Sequence, residues 1–306
     1  MNQSAVLCLG NGSVDILTYL PSFPINGEKT IIKNLTRVIG GSATNVAANL
    51  SKLSMKTSLM ARIGEDPNSN EFIRLIKERG INVNLLQIDK DLEMGTTIIL
   101  IAEKGESTKL GYRGANKKLS VPEEIDLSSF SYIHCASIDS KIAKKIVEKA
   151  KKRNITCSLD IGSTMIREQP DVLIDICQKF DLVFLNRFAF RRIFDLKNGE
   201  ELSLDQIKAH LSSEKNPLFN NKLIITLGEE GLIWSKQGTI FCEPAVSLEE
   251  VVDTTGAGDA VAAVIIWSEL NQVDAQNSLK MANLAASKTI MKAGGINGFP
   301  TSLKLN

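Results

Sequence analysis

The chain has 306 residues, of which 43% are hydrophobic, and its 36 Lys and Arg nearly balance its 35 Asp and Glu. This balance gives no electrostatic reason to expect a nucleic acid partner, and no apolar run reaches the length of a membrane span. The stretch MNQSAVLCLGNGSVDI lacks a basic segment and a cleavage-like site, so we expect a cytoplasmic protein without a secretion signal. The five cysteines have no CxxC spacing, which favours buried, reduced thiols.

The first 116 residues predict a β-rich start. The apolar strand 5–10 ends in a Gly-Asn-Gly turn, and the segments 14–23 and 28–39 alternate apolar and polar residues like half-exposed antiparallel strands. The segment 95–116 reads as a hairpin that turns at 103–106. Between these lie a helix that opens with two glycines, one buried strand at 57–64 and an amphipathic helix at 67–80.

From residue 130 onward, predicted strands and helices alternate, and a hairpin follows at 231–244. This order predicts βαβ units, including a helix at 169–180. We therefore predict one α/β domain over 1–306: a doubly wound, mostly parallel sheet with helices on both faces. A small β-sheet lid would be formed by insertions at roughly 14–37 and 94–115.

The segment DTTGAGDA (253–260) directly precedes a long apolar run. The small residues Gly256, Ala257 and Gly258 let backbone N–H groups converge at the positive end of a helix, which makes an anion hole suited to a phosphoryl group in transfer. We expect that field to keep Asp259 ionised, so that its carboxylate can accept a proton from a substrate hydroxyl. By itself the segment is also compatible with an ordinary glycine-rich helix cap.

Two further polar segments sit where parallel strands are expected to end. TLGEEG (226–231) follows an apolar strand, at the edge where open α/β sheets bind ligands, although an ordinary hairpin turn would look the same. Near the N-terminus, Asn11, Asp15 and Asn45 offer short side chains that bind vicinal hydroxyls, and the glycines at 40–41 permit close approach of a ligand. Taken separately, this second set is equally well explained as a turn and a helix cap.

Taken together and in order, these motifs resemble the PfkB family of carbohydrate and nucleoside kinases, which has the ribokinase-like fold. The matching segments span nearly the whole chain: GNGSVD (10–15), GGSATNVAANLSKL (40–53), GANKKLS (114–120), LVFLN (182–186), TLGEEG (226–231), DTTGAGDA (253–260) and AASKTIMKAGGINGFP (285–300). The resemblance implies an ATP-dependent kinase that phosphorylates a hydroxyl of a sugar or sugar-like molecule. A nucleoside kinase, or a member that binds ligands without turnover, remains an alternative.

The resemblance also implies roles for individual residues. Asp259 would be the base, and the N–H groups from Ala257 to Asp259 would form the anion hole after the turn at Gly256. Asp15, Gly41 and Asn45 would bind substrate hydroxyls, with Asn11 beside them. The nucleotide would be bound by a larger set: Asn186, Thr226, Gly228, Gly231 and Asn283. Mg²⁺ would be held through water and the nucleotide, and Asp253 and Thr255 match the place of a K⁺ site.

The sequence departs from the family pattern at Ala189, where the motif N-x-x-E has a glutamate. One water-mediated partner of Mg²⁺ is therefore missing. This departure leaves open the alternative of a member that binds ligands without turnover. Arg113 could reach a transferred phosphate or a substrate carboxylate, or simply face solvent. Asp160 could face the phosphates. Arg167 is predicted on the loop that follows, where it could contact an acidic substrate.

Substrate and assembly are less constrained. Tyr19, Phe23 and Tyr112 lie in the lid segments and could stack a nucleobase, although packing is the more common role. A nicotinamide-dependent enzyme is disfavoured because GNGSVD carries Asp15 where the third glycine of the dinucleotide motif belongs. Lid strands usually expose an edge, so a homodimer through the lid is expected.

Overall fold

The computed structural model of the chain describes residues 5–103, 106–196 and 202–303. Residues 104 and 105, inside the predicted turn of the second insertion, lie outside the described residues. The described part contains fourteen strands: β1 Ala5–Gly10, β2 Ser13–Leu20, β3 Asn34–Gly40, β4 Lys56–Met60, β5 Arg62–Gly64, β6 Gln87–Asp89, β7 Gly95–Ala102, β8 Ser107–Tyr112, β9 Phe130–Ala136, β10 Thr156–Asp160, β11 Leu182–Asn186, β12 Lys222–Thr226, β13 Leu232–Lys236 and β14 Thr239–Glu243.

Nine α-helices connect or cover these strands in the same described ranges: α1 Ser42–Lys52, α2 Pro67–Glu78, α3 Ser140–Lys151, α4 Ser163–Glu168, α5 Leu173–Cys177, α6 Arg187–Ile193, α7 Leu204–Ser212, α8 Ala257–Leu270 and α9 Ala275–Ile290. Short 3₁₀ turns occur at Gly114–Lys118, Pro170–Val172 and Gly228–Glu230. Most predicted helices are present within a few residues of their expected bounds.

A large sheet of eight strands forms the centre, in the order β14-β13-β12-β11-β10-β9-β1-β4. The strands from β12 to β4 run parallel, and the β13–β14 hairpin is antiparallel. Alternate residues of β1 enter two different apolar clusters: Leu7 and Leu9 pack in one, Val6 and Cys8 in the other. Because successive side chains of a strand point to opposite faces, the sheet is covered on both sides. The predicted doubly wound fold is confirmed.

A separate small sheet has the order β3-β2-β7-β8 and arises from the two predicted insertions. Strand β2 runs parallel to β7, and the other two pairs are antiparallel. One row across this sheet consists of Val38, Asp15, Thr97 and Gly111. Val38 lies near Gly294, since a side chain at that glycine would come within 3.5 Å of the valine methyl groups. The face that carries Asp15 therefore looks toward the large sheet's domain.

Three local expectations were wrong. The segment at 57–64 is two strands, because β4 joins the large sheet while β5 pairs with β6. The helix expected at 169–180 is divided into the 3₁₀ turn Pro170–Val172 and the short α5, and it does not include Gln169 because Pro170 disfavours helix for the residue before it. For the same reason α4 ends just before that proline, and Arg167 lies on this short helix rather than on a loop.

Several residues predicted to be structural are buried. Cys8, Cys135 and Cys157 are free, buried thiols, and burial raises the pKa of each. His134 is fully buried and contacts the Ser158 hydroxyl through Nδ1 at 2.8 Å. Burial lowers the pKa of this histidine to about 3, so it stays neutral and packs within the sheet. No helix of the described ranges combines the length and apolarity of a membrane span.

Candidate active site

The glycine-rich segment forms the turn that begins α8. Gly256 is the N-cap and has a left-handed backbone, with φ of 80°. A side chain there would come within 2.3 Å of the carbonyl oxygen of Gly295, so glycine is required both for conformation and for space. The N–H groups of the first helical turn, which includes Ala257 and Gly258, have no acceptor within the helix. The sequence predicts these groups as the donors of the anion hole; in the structure the N–H of Ala257 also donates to the Thr254 carbonyl at 3.4 Å.

Asp259 lies in that first turn, and its carboxylate is held by two donors from α1. The Ser42 hydroxyl donates to Oδ1 at 2.5 Å, and Asn45 Nδ2 donates to Oδ2 at 2.7 Å. Helix α1 begins directly after the glycines 40–41, so the same turn that starts α1 delivers both donors. The carboxylate is thereby fixed at the mouth of α8. Asn45 Oδ1 is buried and lacks a hydrogen-bond partner among the described residues.

Burial raises the pKa of Asp259, and the nearby Asp15 carboxylate raises it further. The hydrogen bonds from Ser42 and Asn45 and the charge of Lys109 lower it. The helix field was expected to keep Asp259 ionised, but desolvation by burial acts in the opposite direction and raises the pKa. A carboxyl with a raised pKa is a better proton acceptor, which suits a general base.

Asp160, the last residue of β10, lies close to the same group. Burial and the charge of Asp259 raise its pKa to about 7, while a hydrogen bond with the Ser42 side chain lowers it. Ser42 therefore links two carboxyl groups, one at the end of β10 and one at the start of α8. The sequence placed Asp160 near the phosphates but gave no sign of Ser42 as the link.

The N-terminal polar set is brought to the same place, with internal partners. Asp15 is buried within β2 and accepts from the Ser13 hydroxyl at 2.9 Å; burial raises its pKa. The two glycines at 40–41 make room for neighbouring parts of the chain, and a role of Gly41 toward a ligand stays a prediction. A side chain at Gly40 would meet the Asp15 carboxyl at 2.3 Å, and one at Gly41 would meet the carbonyl of Asn11 at 2.2 Å.

A cleft of about 640 Å³ joins the anion hole to the predicted nucleotide loop. Six of the predicted residues line this cleft: Thr226, Gly228, Gly231, Ala257, Gly258 and Asn283. The sequence did not predict the apolar wall of this cleft, which includes Val246, Val251 and Ile290. Val246 and Val251 are 42% and 50% exposed, which is unusual for apolar side chains. A flat heterocycle bound in the cleft would cover them. Asn283 Nδ2 donates to the carbonyl of Pro244.

Asn186 has a structural role that the sequence did not show. Its Oδ1 accepts from the N–H of Ala189 at 2.8 Å and caps α6. Ala189 itself is fully buried in the core, so the position of the expected glutamate faces packed side chains here. Arg187, the first residue of α6, pairs with Glu230 of the nucleotide loop and donates to the Leu202 carbonyl at 3.0 Å.

The predicted K⁺ ligands have protein partners. Asp253 accepts from the N–H groups of Thr255 and Gly294, each at 2.9 Å, and so ties the two loops behind the anion hole together. The hydroxyl of Thr255 accepts from Lys109 Nζ at 2.9 Å. An ammonium group beside that hydroxyl leaves little reason for a second cation at the same oxygen, so K⁺ here remains only a prediction.

Arg113 is half-buried at the end of β8, where the small sheet returns to the domain. The motif that follows it anchors the N-terminal turn: Asn116 Nδ2 donates to the Gly12 carbonyl at 2.8 Å, and Asn116 Oδ1 accepts from the Gly12 N–H at 3.1 Å. Among the residues that the sequence missed, Lys109 reaches the anion-hole loop from β8. Its exposed strand had offered no periodic signal.

Comparison with known proteins agrees with this geometry. The model of the pfkB family carbohydrate kinases matches residues 3–302. A nucleoside kinase of Methanocaldococcus jannaschii is 24% identical over 300 residues, which cover 97% of this chain and 93% of that protein. A deoxyribokinase of Salmonella typhi is 25% identical over 316 residues, covering 98% and 97%. The structure of Arabidopsis thaliana ribokinase complexed with ribose and ATP aligns with a TM-score of 0.82 at 21% identity, over 98% and 96% of the two chains.

A mostly parallel sheet covered on both faces, with a glycine-rich turn at the start of α8, is thus accompanied by a family match over nearly the whole chain. The chain belongs to the pfkB family of carbohydrate kinases. It is a phosphotransferase with an alcohol group as acceptor, of the sugar or nucleoside kinase type.

Proposed function

We propose that this chain transfers the γ-phosphoryl group of ATP to a hydroxyl of a small sugar or sugar-like molecule, with Asp259 as the base. The observation that carries the proposal is the position of this carboxylate. It lies in the first turn of α8, fixed by Ser42 and Asn45, beside the anion hole that lines the 640 Å³ cleft. A base and an anion hole side by side are what in-line phosphoryl transfer requires.

Each part of the cleft then has a task. The adenine ring would lie between the apolar side chains near Val251 and Ile290, and the phosphates would extend along the loop at 226–231 toward α8. The acceptor would lie on the other side of Asp259, near Asp15 and the unsatisfied Oδ1 of Asn45. Asp259 accepts the hydroxyl proton as the N–H groups of the anion hole stabilise the charge on the phosphoryl oxygens.

Carboxylate oxygens are the kind of ligand that Mg²⁺ prefers, and Glu229 is the acidic residue among the side chains that line the cleft. No group of three or more His, Cys, Asp or Glu in the described ranges is arranged to hold a metal by itself. Mg²⁺ would therefore be bound chiefly by the nucleotide and water, where it would neutralise phosphate charge. The missing glutamate at Ala189 is compatible with such a weakly held ion.

The register of the small sheet turns one aromatic candidate for base stacking away from Asp15, whereas Tyr19, four residues after Asp15 on β2, shares its face, so both a sugar and a nucleoside acceptor stay open. In the register of the small sheet, Tyr112 lies one residue beyond Gly111, which shares the row of Asp15. Because side chains alternate along a strand, Tyr112 points to the face opposite Asp15, away from the cleft. Its ring lies below Lys117, at 5.9 Å from Nζ. One of the three aromatic residues considered for base stacking is thereby removed.

The test is an ATP-consumption assay with a panel of acceptors: ribose, fructose, inositol, 2-keto-3-deoxygluconate and nucleosides, across a Mg²⁺ titration. We expect turnover with at least one sugar. Asp259→Asn should lower kcat by a factor of about 10² or more and leave substrate affinity nearly unchanged, since only the proton acceptor is lost. Turnover with nucleosides alone would correct the substrate class, and no turnover with any acceptor would favour a non-catalytic member.

A further inference from the structure

Lys109 is the side chain of the small sheet that reaches the anion-hole loop. It lies on β8, two residues before Gly111, and therefore on the face that carries Asp15. Gly111 has no side chain, and the space where a Cβ would lie is open within 4 Å. Lys109 Nζ donates to Thr255 Oγ1 at 2.9 Å, directly before Gly256. The ammonium group thus spans from the small sheet to the start of the phosphate-binding turn.

The ammonium group of Lys109 lies in a region of negative charge. The charges of Asp15 and Asp259 interact, as do those of Asp160 and Asp259, and burial raises the pKa of each of the three carboxyl groups. The charge of Lys109 lowers the pKa of both Asp15 and Asp259, so the ammonium acts on both sides of the acceptor position. The phosphates of a nucleotide would add further negative charge to the same space. Phosphoryl transfer is accelerated where fixed cations face the oxygens that carry this charge.

We propose that Lys109 is a catalytic residue: its ammonium moves from Thr255 Oγ1 to the oxygens of the γ-phosphoryl group and stabilises them during transfer. The inference rests on the proposed kinase function and adds a residue to it. The lysine keeps its proton throughout, and the only bonds that change are those of the phosphorus and of the hydroxyl proton.

Kinetics of Lys109→Met with the acceptor found by the panel provide the first test. We expect kcat to fall by about 10²-fold or more, with KM for ATP and for the acceptor within about threefold of the parent values, because a contact made in the transition state is lost. Lys109→Arg should recover part of kcat. The matched control is Lys117→Met, which removes an equal charge from the base of the small sheet, over Tyr112.

Affinity for ADP with aluminium fluoride, a mimic of the phosphoryl group in transfer, tests the same role without turnover. Lys109→Met should weaken binding of this mimic at least tenfold and leave binding of ADP alone unchanged. Equal affinities for the mimic in both proteins would overturn the proposal, as would an unchanged kcat. A rise in KM for the acceptor with kcat intact would also overturn it, since Lys109 would then only bind substrate. Absence of kinase activity in the parent would refute the proposed function, and the binding experiment would still decide the role of Lys109.

Discussion

Gly256 and Gly258 flank Ala257 in one turn, but their surroundings differ. A side chain at Gly256 would lie within 2.3 Å of the Gly295 carbonyl, whereas one at Gly258 has no atom within 4 Å and would point into open space. The first glycine is therefore needed for the fold. For the second, we propose that the lack of a side chain keeps the anion hole open to a phosphoryl group.

Alanine substitutions should separate these two roles. Gly256→Ala should lower the free energy of unfolding by about 2 kcal/mol or more, because it combines a left-handed backbone with a steric clash. Gly258→Ala should leave stability within about 0.5 kcal/mol and lower kcat at least tenfold, since a methyl group would occupy the phosphoryl position. Chemical denaturation and steady-state kinetics measure the two effects. Equal losses of stability in both variants would contradict this division.

Asp160 should make stability depend on pH. Its pKa is raised from 3.8 to about 7 in the folded protein, by burial and by Asp259. Between these values the folded state holds a proton that the unfolded state has lost, so this contribution to stability is present at low pH and disappears as pH rises through about 7. Asp160→Asn removes the buried charge and should raise the unfolding free energy, by on the order of 2 kcal/mol, above pH 7.

Thermal denaturation of the nucleotide-free protein at pH 5 and pH 8 measures this effect. The increase in melting temperature caused by Asp160→Asn should be larger at pH 8 than at pH 5. Glu124→Gln, an exposed carboxyl on the surface, is the control and should show no such dependence. A gain that is equal at both pH values would show that Asp160 is ionised throughout this range.

At the scale of elements, α6 explains the departure from the family motif. The helix is capped by Asn186, and its third residue, Ala189, is fully buried against the core. The glutamate that the motif expects would therefore be inserted among apolar side chains. Ala189 packs within this core, and Asp160 is the acidic neighbour that Asp259 has instead.

Restoring the motif should therefore harm the protein. Ala189→Glu should lower the free energy of unfolding by about 3 kcal/mol or more, because it buries an unpaired carboxylate. It should not lower the Mg²⁺ concentration needed for half-maximal activity. Phe188→Glu on the same helix, where the side chain is 41% exposed, should cost less, about 1 kcal/mol, because only part of the ring is buried and the new carboxylate stays in solvent. A stable Ala189→Glu protein with a lower Mg²⁺ requirement would show that the acid reaches the cleft.

At the scale of the whole molecule, the outer face of the small sheet is apolar. Leu35, Ile98, Leu110 and Tyr112 lie opposite Asp15 in the register and are 41%, 37%, 57% and 47% exposed. Four large apolar side chains on one exposed face are unusual for a monomer. The expected homodimer through the lid would cover them.

Light scattering coupled to size exclusion should report twice the chain mass of 33.4 kDa. Leu110→Glu should convert the protein to monomers, because it places a charge in the middle of the apolar face. Lys56→Glu, an exposed change at the start of β4, should leave the dimer intact. A parent protein that elutes as a monomer at micromolar concentration would refute this assembly.

The sequence by itself determined the alternation of strands and helices, the two insertions and the glycine-rich turn before α8. These are local properties: side-chain period, turn residues and helix caps each act over a few neighbours. Asp259 and the glycines at 256 and 258 were found for the same reason, since their chemistry lies within one contiguous segment.

The tertiary structure decided which side chains meet. Ser42 and Asn45 hold Asp259 although more than 200 residues separate them in the sequence. Lys109 of the small sheet reaches Thr255 in the loop before α8. Such contacts depend on how strands are ordered and how the small sheet folds back, which no local pattern encodes. Burial, too, is a property of the assembled molecule, and it is burial that raises the pKa of Asp259 and makes the position of Ala189 part of the core.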